Sequence, residues 1–202
     1  MRLLLCSDLH ADRAATERIV TLSADVDVLI IAGDLGNGRR QLDVCVPILS
    51  RIPIPTVLVA GNNESPEELR IACQHWSSAV ILHGTSTEIN GVPFFGLGGA
   101  VPETPFGSWS YDLSEINAMV LLADCPADAV LVTHSPPKGV VDRNSRGDSL
   151  GSEAIHAAIL RTRPRLLVCG HIHASSGLCE RIDEIPVINA GPLGMIWELT
   201  TA

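Results

Sequence analysis

Five short aliphatic runs constrain this chain more than any other feature, because each ends on polar side chains able to bind a metal: LLLCSDLH, VLIIAGD, TVLVAGNNE, VLVTHS and LLVCGHIH. Runs of four or five aliphatic residues are too short for helices and read as fully buried strands. Leu3–Cys6, Val28–Ala32, Thr56–Ala60 and Ala79–Leu82 are the strands expected in the first half. Between them, residues 13–22, 40–52 and 66–76 carry helical periodicity. The third of these helices has a built-in start, with Ser65 at the cap, Pro66 in the first turn and Glu68 where a capping box places an acid.

The second half changes character. Residues 87–89 and 92–97 flank Asn90-Gly91, a two-residue hairpin signal. A helix near 114–122, a strand at 130–133, a helix at 152–163 and a strand at 166–169 follow, and strands at 187–189 and 195–199 close the chain. Parallel βαβ units followed by antiparallel hairpins predict a mixed α/β fold with helices on the outer faces. The 202 residues suit a single domain over 1–202, with no linker or repeat to divide it. Aromatic residues are only 3 %, so the core must be built from Val, Leu, Ile and Ala.

Several function classes drop out on composition. No apolar stretch approaches the ~18 residues of a membrane-spanning helix. The N-terminal apolar run is too short for an export signal, which predicts a cytoplasmic protein. The net charge is −9, and no run of Lys or Arg exceeds the pair Arg39-Arg40. That argues against broad nucleic-acid binding. The six cysteines form no CxxC pair, and most of them sit in apolar runs, as small buried hydrophobes do.

Ligands of open α/β sheets bind outside the carboxyl ends of the strands, so the five run ends can converge on one crevice. The convergent set is Asp8, His10, Asp34, Asn62, His134, His171 and His173. Four of the seven histidines follow buried strands directly, and His171 and His173 form an i, i+2 pair that an extended segment would project the same way. Imidazole, carboxylate and amide oxygen without thiolate favour Mn, Fe, Zn or Co. Seven ligands exceed the four of one tetrahedral zinc and suit two divalent metals about 3.5–4 Å apart that share a carboxylate, as in phosphoryl transfer.

The series DLH, GD, GNNE, H and GHIH, spread from Asp8 to His173, resembles the calcineurin-like metallophosphoesterases. The stretches THSPPKGVVD and GHIHASSG further resemble the small stand-alone members of that family. The resemblance implies a four-layer α/β/β/α sandwich of two mixed sheets. It implies one metal on Asp8, His10 and His173, another on Asn62, His134 and His171, and Asp34 bridging both. It also implies that a hydroxide between the metals attacks phosphorus in line while Asn62 helps to stabilise the equatorial oxygens. The substrate is then a small phosphate ester, with a diester favoured over a monoester.

One position departs from the family pattern. Asn63 stands where the family carries a His that helps protonate the leaving group, and an amide cannot take that role. His83 and His75 are the substitutes to test. The departure keeps a non-catalytic scaffold open as an alternative, and repair nucleases of the family supply another. Gly147-Asp148-Ser149-Leu150-Gly151 matches a nucleophile elbow but follows a polar loop instead of a strand. Gly96–Gly99 lacks the spacing of a dinucleotide site. Trp109 and Tyr111 either line a substrate pocket or pack locally, and Arg39 and Arg40 either reach a phosphate or open a solvated helix.

Overall fold

A computed structural model describes residues 1–200. The first sheet runs in the order β11-β1-β2-β3-β4, with β1 Arg2–Cys6, β2 Val28–Ala32, β3 Thr56–Val59, β4 Ala79–Ile81 and β11 Met195–Glu198. The second runs β5-β6-β7-β8-β10-β9, with β5 Thr85–Ile89, β6 Val92–Leu97, β7 Val130–Thr133, β8 Leu166–Cys169, β9 Cys179–Ile182 and β10 Ile185–Asn189. Both sheets are mixed. Their centres are parallel, while β11, β5 and β9 pair antiparallel at edges.

Alternation of side chains along each strand splits every aliphatic run between two cores. Leu3 and Leu5 of β1 face the second sheet and meet Val130 and Val132 of β7 and Leu166 and Val168 of β8. Leu4 and Cys6 face the other way, toward α1 (Arg13–Leu22), α2 (Leu42–Leu49) and α3 (Pro66–Ala72). On the far side, Leu131, Leu167 and Cys169 pack on α4 (Glu115–Leu122) and α5 (Glu153–Thr162). The result is the α/β/β/α sandwich, with every central strand buried on both faces.

Local signals are realised at the expected places. Ser65 and Glu68 form the full capping box, and Ser114 and Ser152 cap α4 and α5. Asn90 and Gly91 both take positive φ, as a type I′ hairpin turn requires. Five cysteines are buried and all six are free.

Three expectations need correction. Helix α2 begins at Leu42 and not at Arg40, because Asn37 and Arg40 pair with each other in a tight turn and Gln41 is left-handed at φ +70. Helix α3 ends at Ala72, short of Trp76, whose indole N–H instead donates to Ser78 at 2.9 Å. Strand β9 carries no aliphatic pattern, since three of its four residues are exposed. A two-residue turn at Asp183-Glu184 folds it onto β10, so pairing and not burial makes it a strand.

Candidate metal centre

The parallel strands of both sheets end on the same side, and the loops leaving β1, β2, β3, β7 and β8 carry the seven residues of the convergent set. The crevice therefore lies where the two carboxyl edges meet. Asp8, His10, Asp34 and His171 are all left-handed, with φ between 46 and 67. Such backbone costs about 1–3 kcal/mol per residue and persists only where the surroundings over-determine it.

Two groups of ligand atoms converge. Asp8, His10 and His173 form one, and Asp8, Asp34 and His134 form the other. The Nε2 atoms of His10 and His173 face each other at 3.0 Å, and His173 Nε2 lies 3.5 Å from Asp8 Oδ1. Asp8 is common to both groups, and Asp34 of the second also reaches the first, 3.6 Å from His10 Nε2 through one oxygen and 3.6 Å from His134 Nε2 through the other. The amide oxygen of Asn62 faces His134 Nε2 at 3.2 Å and His171 Nδ1 at 3.1 Å. His171 and His173 do not sit on an extended segment. A left-handed residue at 171 and a 3₁₀ turn from His173 send the two rings to different groups.

Each member of the set is oriented from behind. His134 Nδ1 donates to the Ala32 carbonyl at 2.8 Å, which leaves Nε2 as the lone-pair nitrogen of the neutral ring. His10 Nδ1 is placed in the same way by Asn37 Oδ1 at 3.1 Å. Asp8 accepts from Ser7 Oγ and from the His171 backbone N–H. Asp34 accepts from the backbone and the side-chain amide of Asn63, at 2.8 and 2.7 Å. The Asn62 side-chain N–H donates to Ser110 Oγ at 3.0 Å, and Ser110 in turn donates to Asp112. That direction of donation turns the Asn62 oxygen toward the histidines.

Electrostatics follow from this crowding. Burial pushes the Asp8 carboxyl up, but hydrogen bonds from His173 and Ser7 and the charge of His134 hold it down at about 2. Burial and the neighbouring His134 lower His171 to about 4. His134 is raised above its ordinary value: burial opposes the charge, yet Asp34 and Asp8 outweigh it. The hydrogen bond to Asp8 raises His173. The field that draws a proton onto these rings equally draws a cation.

The spacing of the loops depends on two glycines. Gly33, at φ +91, leaves only 2.6 Å between an added Cβ and both Gly61 Cα and His134 Nδ1, and a Cβ on Gly61 would fall on the Asp34 carboxylate. Gly61→Ala is expected to cost about 1–3 kcal/mol of stability, as overpacking does, and to displace Asp34. Urea unfolding of the metal-free protein measures the first effect, and a weakened affinity for manganese the second.

The sequence did not point to Ser110, Asp112 or the buried Glu64. Glu64 accepts from the backbone N–H groups of Gly61, Leu35 and Gly36 and so ties two ligand-bearing loops together. Burial, then the charge of Asp34, raises its pKa to about 7. The GNNE motif contained Glu64, but only the tertiary structure reveals what it holds. Other candidates lie apart from the site. Arg39 is paired with Glu68 at 2.6 Å, Tyr111 meets His83 at 3.3 Å, and Ser149 sits in a loop donating to Asp142, with no strand before it. Asn63, Trp109 and Phe106 do border the crevice, which opens into a cleft of about 750 Å³.

The fold has counterparts among known proteins. The fold superposes on TT1561 of Thermus thermophilus with a TM-score of 0.72 at 22 % identity, over 95 % of this chain and 89 % of that one. It superposes on a dimetal phosphatase from Danio rerio with a TM-score of 0.64 at 13 % identity, over 96 % and 88 %. A UPF0046 protein of Caenorhabditis elegans is 31 % identical over 106 residues, which is 50 % of this chain but only 26 % of that protein. Residues 1–175 match the sequence model of the calcineurin-like phosphoesterases. By that match and by its fold, the chain belongs to the calcineurin-like phosphoesterase family, metal-dependent hydrolases of phosphate esters.

Proposed function

We propose that this chain is a binuclear phosphoesterase with a preference for diesters, in which Asp8, His10 and His173 hold one divalent metal, Asn62, His134 and His171 hold another, and Asp34 bridges them. The observation that carries this reading is the convergence of four imidazoles, two carboxylates and one amide oxygen at the carboxyl edge. His134 Nε2 and His171 Nδ1 both aim at the Asn62 carbonyl oxygen, and His10 and His173 aim their Nε2 atoms at each other. Imidazole, carboxylate and amide oxygen without thiolate are the donors that divalent transition metals take, so the donor set fits the metals. Two metals held there would supply Lewis acidity, activating water as the nucleophile and neutralising the phosphoryl oxygens.

The chain's own residues do the rest. Asn63 holds the Asp34 carboxylate by two N–H donors, and its own oxygen is taken by the Gly38 N–H at 2.8 Å. With both ends of its amide engaged, Asn63 positions a ligand and offers no proton to the leaving group. Ser110 and Asp112 aim the Asn62 oxygen. A smaller cleft of about 320 Å³ lies against Asp8, His10, His173, Ser176 and Pro192, and leaves room for a second ester group. That room favours a diester.

Manganese-loaded protein is expected to hold about two ions per chain and to hydrolyse bis(p-nitrophenyl) phosphate faster than p-nitrophenyl phosphate. Full metal content without turnover of either would mark a scaffold, and salt-sensitive DNA binding a nuclease. Metal uptake also depends on pH, because protons compete for the imidazoles. His173 and His134, both raised by neighbouring carboxylates, take up protons at a higher pH than an ordinary imidazole, whereas burial keeps His171 neutral. The manganese Kd is therefore expected to weaken as pH falls, by up to roughly tenfold per pH unit for each proton displaced, with the onset above the ordinary imidazole range. Competition with a chromogenic chelator measures it, and a flat profile would show that neither ring is a ligand.

A further inference from the structure

The chain has seven aromatic residues, three Trp, one Tyr and three Phe, and two of them stand exposed on the wall of the cleft. Phe94, Phe95 and Trp76 are buried, as core economy dictates, but Phe106 is 52 % and Trp109 39 % exposed. Their rings lie nearly parallel and offset, 5.7 Å between centroids and 12° between planes. The pair presents apolar ring surface to the cleft, and leaving such area in water is unfavourable.

The loop that carries the pair is fastened to the metal centre. Tyr111 N–H donates to the Asn62 carbonyl at 2.9 Å, and Ser110 accepts from the Asn62 side chain. Asp112 ties the base of the loop by accepting from the Thr104 backbone and hydroxyl, each at 2.7 Å. The aromatic surface is thus held in fixed register with Asn62. Leu150, from the loop before α5, adds apolar surface to the same cleft.

Charge narrows what the cleft accepts. Among the described residues Arg146 is the one Lys or Arg on its wall, and it is paired with Asp148 at 3.4 Å, while Glu103 adds a further carboxylate. A second phosphate would find no free cation there, and an acidic group would meet like charge.

We infer that Phe106 and Trp109 form a platform for the organic group of the substrate, so that the ester hydrolysed carries a planar, uncharged ring. The inference rests on the phosphoesterase reading and names its substrate class. A ring laid on the pair displaces water from both surfaces and gains stacking, an effect of about tenfold in affinity.

Binding of phosphonates that cannot be hydrolysed tests this without relying on turnover. Calorimetry on the zinc-loaded protein compares methylphosphonate with naphthylmethylphosphonate and with an uncharged-base nucleoside phosphonate, the last two distinguishing a simple arene from a heteroaromatic base. Either ring-bearing ligand is expected to bind about tenfold tighter than methylphosphonate. The gain should vanish in Trp109→Leu and in Phe106→Leu, persist in Trp109→Phe, and leave zinc content unchanged in all three. A carboxylate on the ring should abolish it. Equal binding of all three phosphonates, or a gain that survives both leucine variants, would overturn the platform alone. Failure of any phosphonate to bind, with two metals present, would overturn the platform and the phosphoesterase reading together.

Discussion

Asp34→Asn is expected to empty the metal centre and abolish hydrolysis while leaving the fold intact. Asp34 is the one side chain among the described residues within 3.6 Å of a histidine of each group, through a different oxygen to each. An amide can offer only one of those oxygens and brings no charge to hold two divalent ions. Metal content should fall from about two ions per chain to below one, and kcat/KM by more than about 10³-fold. Removing the charge also relieves Glu64, which burial and Asp34 together push up. The metal-free variant should accordingly melt within about 3 °C of metal-free wild type. Elemental analysis, turnover and thermal denaturation read these three results. A variant that keeps two metals and wild-type turnover would remove Asp34 from the bridging position.

The second large effect concerns the leaving group. Among the described residues, the cleft lining contains no imidazole beyond the proposed ligands His10, His171 and His173. His83 is turned away, accepting from Gly98 and meeting Tyr111, and His75 is exposed outside the cleft. Asn63 is committed to Asp34 and Gly38. The leaving group therefore departs largely unprotonated, and general acid help worth about 10²–10⁴-fold is missing for poor leaving groups. A plot of log kcat/KM against leaving-group pKa should be steep, with aryl esters turned over and alkyl esters barely so. Position 63 borders the cleft, so Asn63→His should raise rates chiefly for alkyl esters and flatten the slope. The same change removes an N–H donor from Asp34, so manganese affinity should weaken by about 10–100-fold, as loss of a ligand's hydrogen-bond partner does. A flat wild-type slope with chemistry rate-limiting would mean that another group donates the proton. A steep slope unchanged in Asn63→His would mean that position 63 does not face the leaving group.

The seven convergent residues were legible because a buried parallel strand has only one place to put polar side chains, namely its end. Leu3–Cys6, Val28–Ala32 and Leu166–Cys169 announce themselves as strands by aliphatic content, and the residues after them can only sit at the carboxyl edge. The cap at Ser65 and the turn at Asn90-Gly91 were legible for a similar reason, since short-range hydrogen bonds and φ preferences decide them. Strand β9 was not, because its exposed, charged residues are a strand only by virtue of a partner.

The sequence by itself determined which residues can meet a metal, the alternation that divides each strand between two cores, and the absence of an imidazole at Asn63. Those properties are local or periodic, and chemistry reads them directly from residue type and spacing. The family resemblance already grouped His171 with Asn62 and His173 with His10, but only the tertiary structure showed how, since a left-handed residue at 171 breaks the alternation an extended segment would obey. It also decided that Asn63 serves Asp34, that Ser110 and Asp112 aim Asn62, and that Phe106 and Trp109 share a wall with the site. These relations join residues tens of positions apart through loops, whose paths are set by how two sheets pack against each other and by no periodicity of their own.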